Sequence, residues 1–133
     1  MSGYLIDTDW IIDVIHGQPL ATQTLLELAG PGVSVSLITY GELFEGAYYA
    51  TDPVAAIAGV QRVLDDKPLL PLSEAIMEMF GIVRGRLSRQ LRQQIGDLDL
   101  LIAATALTHD LTLVTRNLRD FRHVPDLKLY QSS

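Results

Sequence analysis

Acidic side chains follow several short apolar runs of the sequence, and this placement indicates a site for a divalent cation. Asp7 comes directly after the apolar run at 4–6, Glu42 follows a second run at 33–38, and Asp120 follows a third at 111–115. Carboxylate oxygens together with water molecules are the ligands that Mg²⁺ and Mn²⁺ prefer. Asp7 is the strongest candidate, because an acid that ends an otherwise apolar first strand has little local structural use.

Each of the other acids also has a local explanation. The segment 39–42 fits a capping box, in which Glu42 would only help to start its helix. Asp9 and Asp97 are plausible helix N-caps, and Asp99 would gain from the helix dipole in a first turn. Both interpretations stay open for each acid alone, whereas the joint placement of all of them favours a shared site.

The elements that would hold these acids alternate between short apolar runs and amphipathic segments. This alternation predicts an α/β fold, a parallel twisted sheet of four to five short strands flanked by helices. We expect strands at 4–6, 33–38, 69–72, 111–115 and 127–129, with Pro71 marking an edge strand. Helices are expected at 10–16, 20–29, 39–50, 53–64 and 98–109, and one long helix at 73–95. No repeat or linker interrupts the chain, so we expect a single domain over 1–133.

This fold would bring the scattered acids together. In a parallel sheet with right-handed crossovers, the carboxyl ends of the strands and the following helix N-termini share one edge, where ligands bind. The acids expected there are Asp7, Asp9, Glu42, Asp97, Asp99 and Asp120. Setting these six aside leaves ten acids against the ten bases, so the net charge of −6 is that of one acidic site. The negative charge therefore does not exclude a nucleic-acid partner.

The composition excludes several other classes of site. The chain has no cysteine, which excludes disulfides, thiolate zinc sites and a cysteine nucleophile and is typical of a reducing cytosol. The first residues lack the basic region of a signal peptide, and no stretch reaches the ~18 apolar residues of a membrane span. We therefore expect a cytoplasmic protein.

Four segments of the chain carry a recognisable pattern. They are the residues at 6–9 (IDTD), 38–43 (ITYGEL), 99–106 (DLLIAATA) and 113–117 (LVTRN), the last followed by Asp120 and Phe121. The third and fourth segments at this spacing are the most specific. Over nearly the whole chain, the pattern resembles the PIN-domain ribonucleases and looks most like the VapC toxins of bacterial toxin–antitoxin pairs. The resemblance implies the same fold, a PIN-like parallel twisted sheet with flanking helices.

The resemblance also implies roles for individual residues. By position, Asp7, Glu42 and Asp99 would bind metal, and Asp120 would complete the catalytic acids. Asn117 stands where many relatives carry an acid and would offer a metal only a neutral carbonyl oxygen. The accessory positions near the metal would be Thr8, Asp9, Asp97 and Thr115.

The chemistry implied by the resemblance is hydrolysis of an RNA phosphodiester by a water molecule activated on Mg²⁺, for which Mn²⁺ would substitute. The resemblance implies two protein partners as well, a cognate antitoxin and a second copy of the chain in a homodimer. Substrate phosphates need cations beside an acidic pocket. We expect Arg84, Arg86, Arg89 and Arg116 to bind RNA, although a solvated helix face would also account for the first three.

Two other functions remain open at this point. A haloacid dehalogenase-like phosphatase would also place an acid pair such as Asp7 and Asp9 after a strand. A non-catalytic module that binds Mg²⁺ and a partner protein would use the same acids. Both require a lysine at the same edge of the sheet, and the chain has only Lys67 and Lys128.

Overall fold

The computed structural model describes residues 3–131, in which eight helices and four short strands alternate. The elements are β1 (Tyr4–Ile6), α1 (Thr8–Ile15), α2 (Pro19–Leu28), β2 (Val33–Ser36), α3 (Leu37–Tyr48), α4 (Pro53–Leu64), β3 (Leu69–Leu70), α5 (Glu74–Arg86), α6 (Arg89–Ile95), α7 (Asp97–Thr108), β4 (Thr112–Val114) and α8 (Leu118–Phe121). None of the helices within 3–131 has the length and apolarity needed to cross a bilayer.

The four strands form one parallel sheet in the order β3-β2-β1-β4. Tyr4 of the central strand β1 lies opposite Val33 of β2 and Thr112 of β4. The predicted α/β class is confirmed, and so is the edge position of the third strand. The strand predicted at 127–129 is wrong, because that segment makes only one isolated bridge, between Leu113 and Leu129. Because the four strands are parallel, their carboxyl ends all share one edge, as the site requires.

Helices cover both faces of the sheet, and each face has its own buried cluster. Leu5 packs with α5 and α7 residues such as Val83 and Leu100, whereas the next residue, Ile6, packs with α1 and α3. Successive side chains of a strand point to opposite faces, so a strand covered on both sides is apolar throughout. Leu5 and Ile6 are both fully buried. This packing fixes the position of β1, and with it the residue that follows.

The predicted long helix at 73–95 is wrong, because the segment forms two helices. Leu87 adopts an extended conformation after α5, and the Ser88 hydroxyl caps α6 by accepting a hydrogen bond from Leu91 N at 3.2 Å. Arg92 Nη1 donates to the Arg84 and Leu87 carbonyl oxygens at 3.3 and 3.1 Å, which satisfies groups that the break leaves unpaired. The helical periodicity continues across the break, so the hydrophobic pattern alone could not reveal it.

The junction of β2 and α3 also differs from the prediction. The strand ends at Ser36, and the Ser36 hydroxyl accepts from Ile38 N at 3.0 Å, so Ser36 is the N-cap of α3. The alternative interpretation of Glu42 as part of a capping box at 39–42 is therefore wrong, because those residues already lie inside the helix. Glu42 is free of a capping role and is available to the site.

Candidate active site

Asp7 follows β1 and is the N-cap of α1, so Asp9, a plausible N-cap by its place in the sequence, lies in the first turn of this helix instead. Asp7 Oδ1 accepts a hydrogen bond from Thr8 N at 2.8 Å, and its Oδ2 accepts one from the Thr115 hydroxyl at 2.7 Å. Its backbone N–H donates to Val114 O at 2.9 Å, which continues the pairing of β1 with β4. These contacts hold the carboxylate in one orientation at the edge of the sheet.

The carboxyl group of Asp7 is almost completely buried, with 4% of the residue exposed. Burial raises its pKa from 3.8 to about 7; the Thr115 and Thr8 hydrogen bonds oppose this rise, and the nearby charges of Asp9 and Asp99 add to it. No lysine or arginine within 3–131 forms an ion pair with Asp7. The charged form of Asp7 therefore lacks a compensating cation from the described chain.

Glu42 lies in the second turn of α3 and reaches the site through Thr8. The Thr8 hydroxyl donates to Glu42 Oε1 at 2.6 Å and lies 3.0 Å from the hydroxyl of Thr39. This contact connects the first turn of α1 to α3 across 34 residues of sequence. The structure thus places Glu42 and Thr8 together beside Asp7, at the start of α1.

Asp99 lies half-buried in the first turn of α7, beside the loop that follows β4. Burial raises its pKa to about 6, and the charges of Glu42, Asp120 and Asp9 contribute to the rise. A side-chain hydrogen bond from Asn117 acts in the opposite direction. Asp99 is therefore a second carboxylate whose charge is disfavoured at this edge of the sheet.

Asn117 lies between Asp99 and Asp120: its Nδ2 donates to Asp120 Oδ2 at 3.1 Å, and its side chain lowers the pKa of Asp99. Gln94 Nε2 donates to Asp120 Oδ1 at 2.8 Å, and these hydrogen bonds, that of Gln94 first, lower the pKa of Asp120. Sequence reasoning missed Gln94. A polar residue on an exposed helix carries no signal, and only the break before α6 places it here.

Asp9 closes the other side of the site. Both of its carboxylate oxygens accept from Arg116 N, at 3.3 and 3.2 Å, and burial is the largest cause of its raised pKa. The Thr115 hydroxyl, which donates to Asp7, also accepts from Asn117 N at 3.0 Å. Thr115 therefore fixes the carboxylate of Asp7 relative to the loop after β4.

The structure separates Asp97 from this group of acids. Gly96, not Asp97, is the N-cap of α7, and Asp97 Oδ1 lies 3.5 Å from Arg84 Nε in an ion pair. Residues two apart on a helix differ by roughly 200° in direction, so Asp97 and Asp99 face opposite sides of the first turn. The prediction that Asp97 joins the acid cluster is wrong for this reason.

The predicted RNA-binding arginines do not lie on one face either. Arg86 pairs with Asp126 at 3.4 Å, and Arg116 pairs with Asp13 at 3.2 Å beside the acids. Arg84 and Arg89 line a pocket at the start of α7. Arg84 and Arg86 are two residues apart on α5 and so differ by roughly 200° in direction, whereas the break after α5 brings Arg84 and Arg89 to one pocket.

The acids fit a hard divalent cation in the chemistry of their ligand atoms. Within residues 3–131, no three acidic or histidine side chains lie close enough together to form a complete metal cage. Mg²⁺ usually keeps several water molecules and needs only one or two carboxylates from the protein. Asp7 and Asp99 supply two oxygen ligands of this kind, and burial raises the pKa of both carboxyl groups, so a cation beside them would favour their charged forms.

Comparison with known proteins gives one consistent family. The model of the PIN domain matches residues 4–127. The chain is 34% identical to ribonuclease VapC2 of Haemophilus influenzae over 96% of both chains, and 33% identical to ribonuclease VapC19 of Mycobacterium tuberculosis over 93% of this chain and 96% of that one. Its structure resembles the DNA-bound VapBC of Salmonella typhimurium with a TM-score of 0.88 at 27% identity, over 98% of each chain.

Proposed function

The chain belongs to the PIN domain family, and we propose that it is a metal-dependent endoribonuclease, the VapC-type toxin of a toxin–antitoxin pair. The observation that carries this proposal is the pair formed by Asp7 and Asp99. Their pKa values of about 7 and about 6 mean that neither carboxylate is well compensated near neutral pH. A divalent cation would supply the missing charge.

Asp7 and Asp99 would hold a divalent cation, which would supply a water molecule of lowered pKa and positive charge for the phosphoryl oxygens. The chain's own residues prepare this site. Thr115 and Thr8 N–H orient the two oxygens of Asp7, and the Thr8 hydroxyl orients Glu42.

Asn117 and Asp120 have different roles in this proposal. Asn117 donates from its amide nitrogen to Asp120, so it positions carboxylates in the metal-free protein. Glu42 and Asp120 are the acids that would hold a second cation, which would stabilise negative charge on the leaving oxygen. Mg²⁺ and Mn²⁺ are the proposed ions, because all of these ligands are hard oxygen atoms.

The positions of the lysines disfavour the two alternative functions. Lys67 Nζ donates to Val63 O at 2.6 Å and to Asp66 at 2.9 Å, and Lys128 Nζ donates to Asp110 at 2.7 Å. Neither lysine contacts Asp7 or Asp9. A phosphatase of the haloacid dehalogenase type and a Mg²⁺-binding partner module both need such a lysine, so hydrolysis on a metal is the better account.

This chain has a groove beside the acids that is suitable for a segment of the antitoxin partner. A cavity of about 270 Å³ between α1, α3 and α4 is lined by apolar side chains, among them Ile12, Leu43 and Val60, and Glu42 also lines it. An antitoxin segment in this groove could place an arginine against the acids, because a guanidinium binds carboxylates with two parallel hydrogen bonds. The homodimer stays a prediction.

An RNA cleavage assay tests the proposed function. We expect the purified protein to cut RNA in Mg²⁺ or Mn²⁺ and to lose this activity in EDTA. Asp7→Asn should remove cleavage, whereas Asp65→Asn, the same change at an exposed residue after α4, should not. Undiminished cleavage in EDTA, or cleavage by Asp7→Asn at the normal rate, would refute the proposal.

A further inference from the structure

Three arginines line a separate pocket of about 330 Å³ where α5, α6 and α7 meet. The lining residues are Arg84, Arg89, Arg92, Gln93, Gly96 and Asp97. The break between α5 and α6 creates this pocket, since it turns Arg84 of α5 towards Arg89 and Arg92 of α6. Asp97 is the only acid that lines the pocket within residues 3–131, so positive charge is in excess there.

The three guanidinium groups are satisfied to different degrees. Arg92 donates to carbonyl oxygens at the end of α5. Arg84 Nε is buried and lies 3.5 Å from Asp97 Oδ1, yet it donates no hydrogen bond to any atom of the described chain. Arg89 is exposed and makes no side-chain hydrogen bond or ion pair within 3–131. A buried donor without a partner is rare in native proteins, which indicates that a further acceptor belongs here.

The pocket adjoins the acids. Gln93 lines the pocket, and the next residue, Gln94, donates to Asp120 at 2.8 Å. Asp97 lines the pocket, and Asp99, two residues further along α7, lies among the acids. The first turn of α7 therefore has the arginine pocket on one side and the acid cluster on the other.

We propose that this pocket binds a backbone phosphate of the RNA at a nucleotide next to the one that is cleaved, an inference that rests on the proposed function. Guanidinium groups bind phosphate with paired, charge-assisted hydrogen bonds. Arg89 makes the main contact, and Arg84 completes it when the phosphate displaces Asp97. Arg92 stabilises the break between α5 and α6 through its hydrogen bonds and adds positive charge to the pocket.

The position of the pocket favours RNA over an acidic protein segment. The neighbouring carboxylates would repel an acidic peptide and RNA alike, but the proposed nuclease function requires RNA, and not an acidic peptide, to reach those carboxylates. In the free protein Asp97 forms an ion pair with Arg84, so Asp97 competes with phosphate for this arginine. This competition predicts that removing one acid and removing one base will have opposite effects on RNA binding.

The test measures binding without cleavage. Fluorescence anisotropy of a labelled single-stranded RNA is followed in EDTA over a series of salt concentrations, with the full chain carrying Asp7→Asn. Adding Arg89→Gln should weaken binding by about tenfold and reduce the slope of log affinity against log salt by roughly 0.7, the value for one phosphate contact. Arg62→Gln removes the same charge from an exposed position on α4 and should have a much smaller effect.

A second pair of variants tests whether removing an acid changes RNA affinity in the opposite direction. Asp97→Asn should strengthen RNA binding more than Glu27→Gln, which removes an equal charge from the exposed surface of α2. Equal effects of Arg89→Gln and Arg62→Gln on affinity and slope would overturn the proposal. So would unchanged RNA binding in Arg89→Gln together with weakened binding of the antitoxin.

The wild-type protein in Mn²⁺ separates the two proposals. Cleavage by the wild type, with pocket variants that bind RNA as their controls do, would leave the nuclease function intact and refute the phosphate site. A wild type that neither cleaves nor binds RNA would refute both.

Discussion

Replacing Asp7 with Asn should stabilise the metal-free protein at pH 8. The substitution keeps the shape of the side chain, and Asn is as good an N-cap as Asp. Its Oδ1 can still accept from Thr8 N. Its Nδ2 would face the Thr115 hydroxyl, which would then accept and could turn its proton towards Asp9 Oδ2, now 3.4 Å away. The hydrogen bonds are thus rearranged rather than lost.

The magnitude follows from the pKa of Asp7. The folded state holds the proton up to about pH 7, and the unfolded chain releases it near 3.8. The stabilisation that the protonated Asp7 side chain gives the folded state is therefore fully present below pH 3.8. It is lost as the pH rises to about 7, which lowers the free energy of unfolding by on the order of 4 kcal/mol. Asn does not suffer this loss. After about 1–2 kcal/mol for the rearranged hydrogen bonds, we expect a net gain of about 2–3 kcal/mol, or roughly 5–10 °C in Tm.

Thermal melts in EDTA at pH 5 and pH 8 test this reasoning. At pH 8, Asp7→Asn should melt above the wild type; at pH 5, where folded Asp7 is protonated, the gain should disappear. Asp65→Asn is the control, because its exposed side chain should show no such pH dependence. If the Tm of Asp7→Asn lay below that of the wild type at pH 8, or differed from it by the same amount at both pH values, the charge of Asp7 would carry no such penalty.

Three further outcomes follow from the same contacts. Asp99→Asn should abolish cleavage in Mn²⁺ and melt no lower than the wild type in EDTA. If the variant instead cleaved normally and its free energy of unfolding fell by about 0.3–1 kcal/mol, Asp99 would only interact with the helix dipole. Mn²⁺ affinity, measured by calorimetry, should rise as the pH increases from 5 to 8, because protons leave Asp99 and Asp7 at about pH 6 and pH 7; a flat profile would contradict this. Thr115→Val should weaken Mn²⁺ binding roughly 10–100-fold, and Thr115→Ser should restore it; equal affinities in all three proteins would leave Thr115 without a role in orienting Asp7.

The sequence predicted the parts of the site that depend on the parallel direction of the strands. Asp7 and Thr115 follow two neighbouring parallel strands, so the topology alone brings them together. Asp99 could be placed as well, since it lies in the first turn of a strongly apolar helix. These positions follow from rules that apply to any parallel sheet.

The parts that failed depend on local competition between side chains and backbone. The segment 39–42 fits a helix start, but the Ser36 hydroxyl caps the helix three residues earlier by accepting a hydrogen bond from Ile38 N. Ser88 interrupts a helix whose apolar spacing continues on both sides. This interruption brings Gln94 to Asp120 and gathers the arginines, so one unrecognised cap hid both an acid partner and a cationic pocket.

Asp7 is both the N-cap of α1 and a buried acid, and the two roles have different requirements. An N-cap needs a side-chain oxygen but no charge, and Asn would supply that oxygen. The negative charge of Asp7 makes the metal-free fold less stable near neutral pH, because burial opposes ionisation there. Helix capping therefore explains the position of the side chain but not its charge. Binding of a cation explains the charge, since it turns the same burial into a favourable interaction.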